Sequence, residues 1–366
     1  GIIMLAIKIQ LKYIEEVRKV LIDKEIIARN YKILTENNYG YIAINPNIDQ
    51  MKIPDVEKKI RGELESNNTN NQIEIQIVEK DLEEVKKKPK SLSEQLKGKL
   101  SEKEIEDLKT SFDIIGDIVI LEIPEDLENQ KKVIGNAALS FTGRKAIFMK
   151  KSAVEGVTRT RKLEFIAGED TSKTIHKEHG ARLKLDVKKV YFSPRLATER
   201  KRIAKEVKDG EIILDMFAGI GPFPILIARE HEVDIYASDI NEEAIKYMKD
   251  NIKLNKLKGK IHPILGDINK IAKEKFIKNQ IDFDRIIMNL PGTAKDFLDL
   301  AILLTKNNGI IHYYEFSDGY ESAINRINKI AKKQNKKVEI LNTRKVKSSS
   351  PKEWHIVVDA KIIENK

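Results

Sequence analysis

The twenty residues Glu211–Glu230, EIILDMFAGIGPFPILIARE, leave few folds open to this chain. The apolar run Ile212-Ile213-Leu214 reads as a buried parallel strand. It ends in Asp215, turns through Gly219 and Gly221, and enters a helix whose first turn holds Pro222. A strand, a glycine turn and a helix in this order begin a nucleotide-binding unit. Glycines let the backbone approach a ligand that sits beyond the carboxyl end of the strand. The spacing is D-x-x-x-G-x-G, without the third glycine of the dinucleotide type. An acid at the strand end suits a cationic amino-acid moiety better than a pyrophosphate, which points to S-adenosylmethionine rather than NAD. The alternative is a purely structural strand-to-helix turn.

The residues downstream of this stretch fit a doubly wound sheet. Strands are expected at Ile235–Ser238, His262–Leu265, Arg285–Met288, Gly309–Glu315 and Val338–Leu341, with helices at Glu242–Leu254, Ala294–Leu304 and Gly319–Lys333. The alternating run Trp354–Lys361 should close the sheet end as an antiparallel strand. Ser193-Pro194 is a cap followed by a first-turn proline, so a helix should run from Arg195 to Lys208. Upstream lies a mixed or antiparallel sheet with strands at Ala146–Lys150, Lys162–Ala167 and Leu183–Val187, preceded by DIVILEI within Phe112–Ile123 and a helical Glu125–Phe141.

Residues 2–78 read as a small α/β module, with strands at Ile3–Leu11 and Tyr41–Ile44, helices at Ile14–Ile22 and Ile53–Leu64, and the alternating Ile73, Ile75 and Ile77. Lys86–Ser91, charged and broken by Pro89, is the best linker. Three parts are therefore expected: 1–85, a small α/β docking module; 91–188, an α+β middle domain; and 189–366, a Rossmann-like domain. A chain of 366 residues accommodates them.

Charge is placed unevenly. Residues 141–210 hold 19 Lys and Arg against 9 Asp and Glu, which accounts for the whole chain's net charge of +10. A surplus confined to the segment before the glycine loop looks like a surface for nucleic acid, the other reading being a solvated lysine-rich face. There is no cysteine, hence no disulfide, thiolate zinc or cysteine nucleophile, and a cytoplasmic location is the simple expectation. No window reaches the apolar length of a transmembrane helix.

Several residues could carry chemistry. Asp239 lies 20 residues after Gly219, the spacing at which a carboxylate takes ribose hydroxyls; it could instead cap the next helix. Asp267 ends the following strand and is placed for an adenine amino group, or for a cap. Asn289-Leu290-Pro291 ends RIIM and offers a rigid amide and carbonyl to a planar base edge, since proline fixes φ. His176 and His179 are spaced as a metal pair but have no evident third ligand, so a hairpin turn is favoured and no metal is expected. Arg195 and Glu199 sit four apart beside Arg200, after Tyr191-Phe192. A surface ion pair is the ordinary reading, while an acid so close to the ligand strand is placed for a general base.

Taken together, ILDMFAGIGPF, IYASDIN, IMNLP and VYFSPRLATER resemble the archaeal and eukaryotic tRNA (guanine-N1) methyltransferases, which modify guanosine 37 beside the anticodon. TRTRKLEFIAGE, TIHKEHGARLKLDV and HYYEF are also similar to that family. The resemblance covers nearly the whole chain, more loosely over the first 85 residues. It implies that Asp215, Phe217 and Gly219 line the methionine side of S-adenosylmethionine, with Asp239 on the ribose, Asp267 near the adenine, and Gly221 and Asn289 also in the cofactor site. Asn289 and Pro291 would border the target base. Arg159 would contact guanine O6, and Glu199 would be the base in a pocket shaped by Tyr191, Arg195 and Arg200. The implied partner is tRNA, at the anticodon loop and the outer corner, with the enzyme acting as a monomer and no membrane involved. One departure is Lys295, where family members often carry histidine; it leaves open activity on a wyosine intermediate. An aminocarboxypropyl transferase using the other side of the same sulfonium is the alternative reading.

Overall fold

A computed structural model of the chain describes residues 1–49, 52–67, 73–86, 88–108, 111–151, 160, 162–348 and 352–366. The chain forms two compact units, Gly1–Pro89 and Lys90–Lys366. Their boundary falls in the lysine-proline segment 86–91.

In the first unit, strands β1 (Ile2–Gln10), β2 (Leu34–Glu36), β3 (Tyr39–Ala43) and β4 (Ile75–Leu82) form an antiparallel sheet in the order β2-β3-β1-β4. Strand alternation sends Ile7 and Ile9 toward the helices Ile14–Asp23 and Ile53–Asn67, where they pack with Val17, Leu21, Ile60 and Leu64. The β2–β3 hairpin adds a strand that hydrophobic patterning did not reveal. It turns on Asn37 and Asn38, both at positive φ (50° and 66°), a conformation asparagine tolerates in two-residue hairpin loops.

The second unit opens with strands β5 (Asp113–Ile115), β6 (Ile118–Leu121), β7 (Ala146–Lys150) and β8 (Leu163–Gly168), in that order across the sheet, with only the β6–β7 pair parallel. Helix Lys131–Thr142 covers one face through Ile134, Ala137 and Ala138. The segment expected as one strand at DIVILEI is the second arm of a hairpin. It turns at Gly116, whose φ of +56° and close approach to Thr174 and Ile175 leave no room for a Cβ.

Strands β9 (Lys173–Glu178) and β10 (Ala181–Asp186) correct a second expectation. The run Leu183–Val187 does not join the mixed sheet; it pairs with β9 in a separate two-stranded ribbon turned by His179-Gly180. The reason lies on helix Glu242–Leu254 and the residue just after it. Asn251 accepts from Lys184 N (2.6 Å) and donates to Lys184 O (3.2 Å), while Asn255 does the same for Arg182 (2.9 and 2.8 Å). Two side-chain amides four residues apart thus pair with the edge that another strand would otherwise take. Leu183 and Leu185 pack beside Ile220, Ile225 and Tyr247.

The seven remaining strands are β11 (Ile212–Asp215), β12 (Asp234–Asp239), β13 (Lys260–Leu265), β14 (Phe283–Met288), β15 (Thr305–Ser317), β16 (Lys336–Ser348) and β17 (Trp354–Glu364). They form one sheet in the order β13-β12-β11-β14-β15-β17-β16. Strands β11 to β15 run parallel; β17 is antiparallel to both neighbours. This is the doubly wound, Rossmann-like arrangement expected. The closing strand β17 is antiparallel but is not the sheet end: β16 takes the edge. Burial decides the placement, since His355–Ala360 are all buried whereas residues 336–347 of β16 are exposed or half-buried. Strand order reverses between β11 and β14, which opens a crevice at the carboxyl ends of the parallel strands. Among the described residues no helix is long and apolar enough to cross a membrane.

Candidate active site

The acids and amides singled out in the sequence are collected at that crevice by chain direction alone. Asp215 ends β11, Asp239 ends β12, Gly266-Asp267 follow β13 and Asn289 follows β14. Asp215 lies buried at the end of β11, and Asp239, Gly266, Asp267 and Asn289 border a cleft of about 870 Å³. Phe217, Gly219, Asp239, Asp267, Asn289 and Pro291 line it, and Tyr191 and Arg200 close it from the preceding segment. Asp215, Gly221, Arg195 and Glu199 do not line it. Arg159 lies outside the described residues.

The glycine turn does two different things. Gly221, at φ +92°, caps helix Pro222–Glu230, and a Cβ there would lie 2.9 Å from Met248 Cγ. Gly219, at φ +58°, has nothing within 4 Å of where a Cβ would be, so its outer side is open to a ligand. Its backbone N–H donates to Asp239 Oδ2 (2.8 Å), and Asn241 N–H donates to Oδ1 (2.8 Å). Burial pushes the Asp239 carboxyl up, and these backbone bonds oppose the shift. Two fixed donors hold this carboxylate in one orientation at the end of β12.

Asp215 is fully buried, and only its Oδ1 is served, by Phe217 N–H at 3.3 Å. Oδ2 has no partner among the described residues. Burial pushes this carboxyl up to about 8, only partly offset by the Phe217 bond, and the nearby Asp239 charge adds to the shift. A buried acid with an unpartnered oxygen at the strand end is suited to a cationic ligand group, because a cation or donor added there favours the ionised form that burial disfavours. Asn289 repeats the pattern: its Oδ1 is buried at the lip of the cleft and has no partner among the described residues. Asp267, by contrast, caps helix Ile268–Ile271 by accepting from Asn269 and Lys270 N–H (2.8 and 3.4 Å).

The basic residues are bound structurally. Arg200 is 2% exposed and makes a two-pronged pair with Glu178 (2.7 and 2.6 Å), with a further bond to Ser193 O and its guanidinium over Phe192. It braces the cleft wall with its charge neutralised. Arg195 pairs with Asp113 at 2.7 Å. Glu199 is buried, and both its oxygens are taken: Oε1 by Arg202 and by Tyr314 OH (3.0 Å), Oε2 by Arg202 Nε (3.2 Å). His176 Nδ1 accepts from Gly116 N–H (3.0 Å) and His179 Nε2 donates to Ala197 O (2.9 Å), so both rings serve the ribbon and its surroundings.

Three further residues line the cleft, of which only Phe316, in HYYEF, carried any signal in the sequence. Phe316, Lys347 and His355 come from the ends of β15, β16 and β17. His355 is buried against Tyr314 and Phe316, and neither ring nitrogen has a partner among the described residues. Burial, reinforced by Lys347, lowers its pKa to about 3, so the ring is neutral. In WHIVVDA the residue looks like one position of a core strand, and only the strand order brings it to the cleft.

The three carboxylate and imidazole groups of Glu206, His312 and Asp359 lie close enough to hold a metal ion. Arg202 bonds both acids (2.9 and 2.6 Å) and Arg285 bonds His312 (2.7 Å), so guanidinium groups already fill that space.

Known proteins share this arrangement along the whole chain. A family model for the TRM5/TYW2 methyltransferase domain matches residues 174–341, one for the TYW2 N-terminal domain matches residues 92–171, and one for the tRNA methyltransferase 5 N-terminal domain matches residues 6–52. The tRNA (guanine(37)-N(1))-methyltransferase Trm5b of Pyrococcus abyssi is 42% identical over 362 residues, covering 98% of this chain and 99% of its own. A tRNA(Phe) (4-demethylwyosine(37)-C(7)) aminocarboxypropyltransferase of Methanocaldococcus jannaschii is 37% identical, covering 68% of this chain and 96% of its own. The solved complex of aTrm5 with tRNALeu superposes with a TM-score of 0.78 at 39% identity, covering 99% of this chain and all of that one. The chain belongs to the TRM5/TYW2 methyltransferase family.

Proposed function

We propose that this chain methylates N1 of guanosine 37 in tRNA, using S-adenosylmethionine. The observation that carries the proposal is the end-to-end likeness to a guanine-37 N1 methyltransferase, whereas the aminocarboxypropyltransferase leaves about a third of the chain unmatched. The cleft and the buried acid beneath it support the cofactor: the unpartnered oxygen of Asp215, the open side of Gly219 and the pinned Asp239 match a ligand with a cationic end and a ribose. Asp215, Phe217 and Gly219 would hold the methionine end, Asp239 the ribose, and Asp267 the adenine end. When bound, S-adenosylmethionine supplies an electrophilic methyl group on sulfur.

Guanine N1 carries a proton at neutral pH, and its removal drives negative charge onto O6. A carboxylate at N1 and a cation at O6 therefore stabilise one transition state from two sides. Glu199 fills the first role and Arg159 the second. For Glu199 this requires trading one bond to Arg202 or Tyr314 for the guanine N1–H as the acceptor enters, in keeping with catalytic hydrogen bonds that form only in the substrate complex. Asn289 Oδ1 accepts from a base N–H beside the rigid Pro291, and Tyr191 walls the acceptor side. The basic 141–210 segment supplies charge-driven RNA affinity, the first unit docks the outer corner, and the enzyme acts as a cytoplasmic monomer.

The second reading, transfer to a wyosine intermediate, draws on relatives that match less of the chain, among them the aminocarboxypropyltransferase at 37% identity, and Lys295 leaves it open. Incubating the protein with S-adenosylmethionine and unmodified tRNA, then digesting and mass-mapping the RNA, separates them. A gain of one methyl on guanosine 37 is expected; an aminocarboxypropyl gain, or no product, refutes the proposal.

A further inference from the structure

Glu199 is one end of a buried chain of charged and polar groups that crosses the sheet. Arg202 donates to both oxygens of Glu199 and, through Nη1, to Asp359 Oδ2 at 2.6 Å. Asp359 Oδ1 is 2.6 Å from His312 Nδ1, and His312 Nε2 is 2.7 Å from Arg285 Nη1. Because Arg285 is always a donor, Nε2 must accept, which places the His312 proton on Nδ1, facing Asp359. Arg285 ends the row on Glu211 (2.9 Å), the residue before β11. Register explains the alignment, since His312 and Asp359 sit directly opposite on β15 and β17. Arg285, His312 and Asp359 are each under 5% exposed.

This is more than charge balance. Burial alone would raise the Asp359 carboxyl, but the bonds from His312 and Arg202 outweigh it and hold the group well below the usual carboxylate range. Burial and the adjacent Glu199 push the Tyr314 hydroxyl well above its ordinary value, so it remains a donor. Glu199 thus faces two permanent donors, and one of them, the Arg202 guanidinium, is itself clamped by an anion that cannot readily protonate.

We infer that Arg202 and Asp359 are positioning residues for Glu199: Asp359, oriented by His312, fixes the Arg202 guanidinium, which presents the Glu199 carboxylate toward the acceptor base. The inference rests on Glu199 being the base. It places the requirement for these residues in the methyl-transfer step and not in the binding of either substrate.

The test is a double-mutant cycle in the full-length protein, read by single-turnover methylation at saturating tRNA, with KM for tRNA by steady-state titration, cofactor affinity by calorimetry and Tm alongside. Arg202→Met should lower the transfer rate at least about tenfold while leaving KM for tRNA and the cofactor Kd within about twofold. Arg202→Lys should recover part of the loss, because it restores a cation but not the fork. In the Glu199→Gln background Arg202→Met should add little, since the group it positions is gone. If Arg202→Met does not fold, Asp359→Asn, nearly equal in volume, must show the same rate loss and the same non-additivity. A folded Arg202→Met or Asp359→Asn enzyme with the wild-type rate, or a faster one, overturns the inference, as do losses that add fully to that of Glu199→Gln. Glu199→Gln at the wild-type rate would instead refute Glu199 as the base, an outcome readable on its own.

Discussion

The vacant oxygen of Asp215 makes a quantitative prediction about how the cofactor binds. In the ligand-free protein burial holds this carboxyl at about 8, so near neutral pH it is mostly protonated. A cationic ligand group beside Oδ2 favours the ionised form, so binding must expel the proton. Each pH unit below 8 then costs about 1.4 kcal/mol, a factor of about ten in affinity. Between pH 6 and 7.5, below the range of about 7.7–8.0 where an α-amino group itself titrates, affinity for S-adenosylmethionine should rise roughly twentyfold. Calorimetry at pH 6.5 in two buffers of different ionisation enthalpy should count close to one proton released. Adenosine, which has no cationic end, should show neither effect. Asp215→Asn should bind S-adenosylmethionine more weakly at pH 7.5, with a flat pH dependence and no proton release. If wild-type binding is flat with pH and the Asn variant matches it in affinity, the carboxyl does not meet the cation and the reasoning is refuted.

Glu199→Gln should cut single-turnover methylation by about a hundredfold or more with cofactor binding intact, and an unchanged rate would remove Glu199 from the chemistry. Asn251→Ala deletes the side-chain pairing of β10 and its bond to Ile220 O, leaving buried backbone groups unpaired. It should cost about 2–4 kcal/mol in denaturant unfolding, and a loss below about 0.5 kcal/mol would show that the edge is satisfied otherwise. His355, held near 3, should show no imidazole titration by NMR between pH 5 and 8. Because the unfolded chain binds this proton and the folded one does not, the residue lowers stability as pH falls below about 6.5; a midpoint near the ordinary value would refute its burial.

The sheet was legible because its parallel strands are short apolar runs separated by glycine turns and capped helices, and because ligand-side acids must fall at strand ends. Asp215, Asp239 and Asn289 were placed at strand ends in this way, where the structure has them. The β17 placement was not, since alternation reports which faces are buried but not which neighbour a strand chooses. The ribbon of β9 and β10 escaped for a related reason: its outer edge is paired by Asn251 and Asn255, some seventy residues away in sequence. Glu199 and Arg195 could be named by spacing, yet four-residue spacing suggested that they pair with one another. In the structure each has a distant partner instead, Asp113 for Arg195 and Tyr314 for Glu199, together with the nearby Arg202. Lys347 and His355 became visible only through the strand order that carries them to the cleft.

The reaction product is the most direct test of the proposed activity. After incubation with S-adenosylmethionine carrying a labelled methyl group, an unmodified tRNA with G37 should acquire one label, mapped by nuclease digestion and mass spectrometry to N1 of that guanosine, and a transcript with A37 should acquire none. Label on another atom or nucleotide, or a transferred group heavier than methyl, would contradict it.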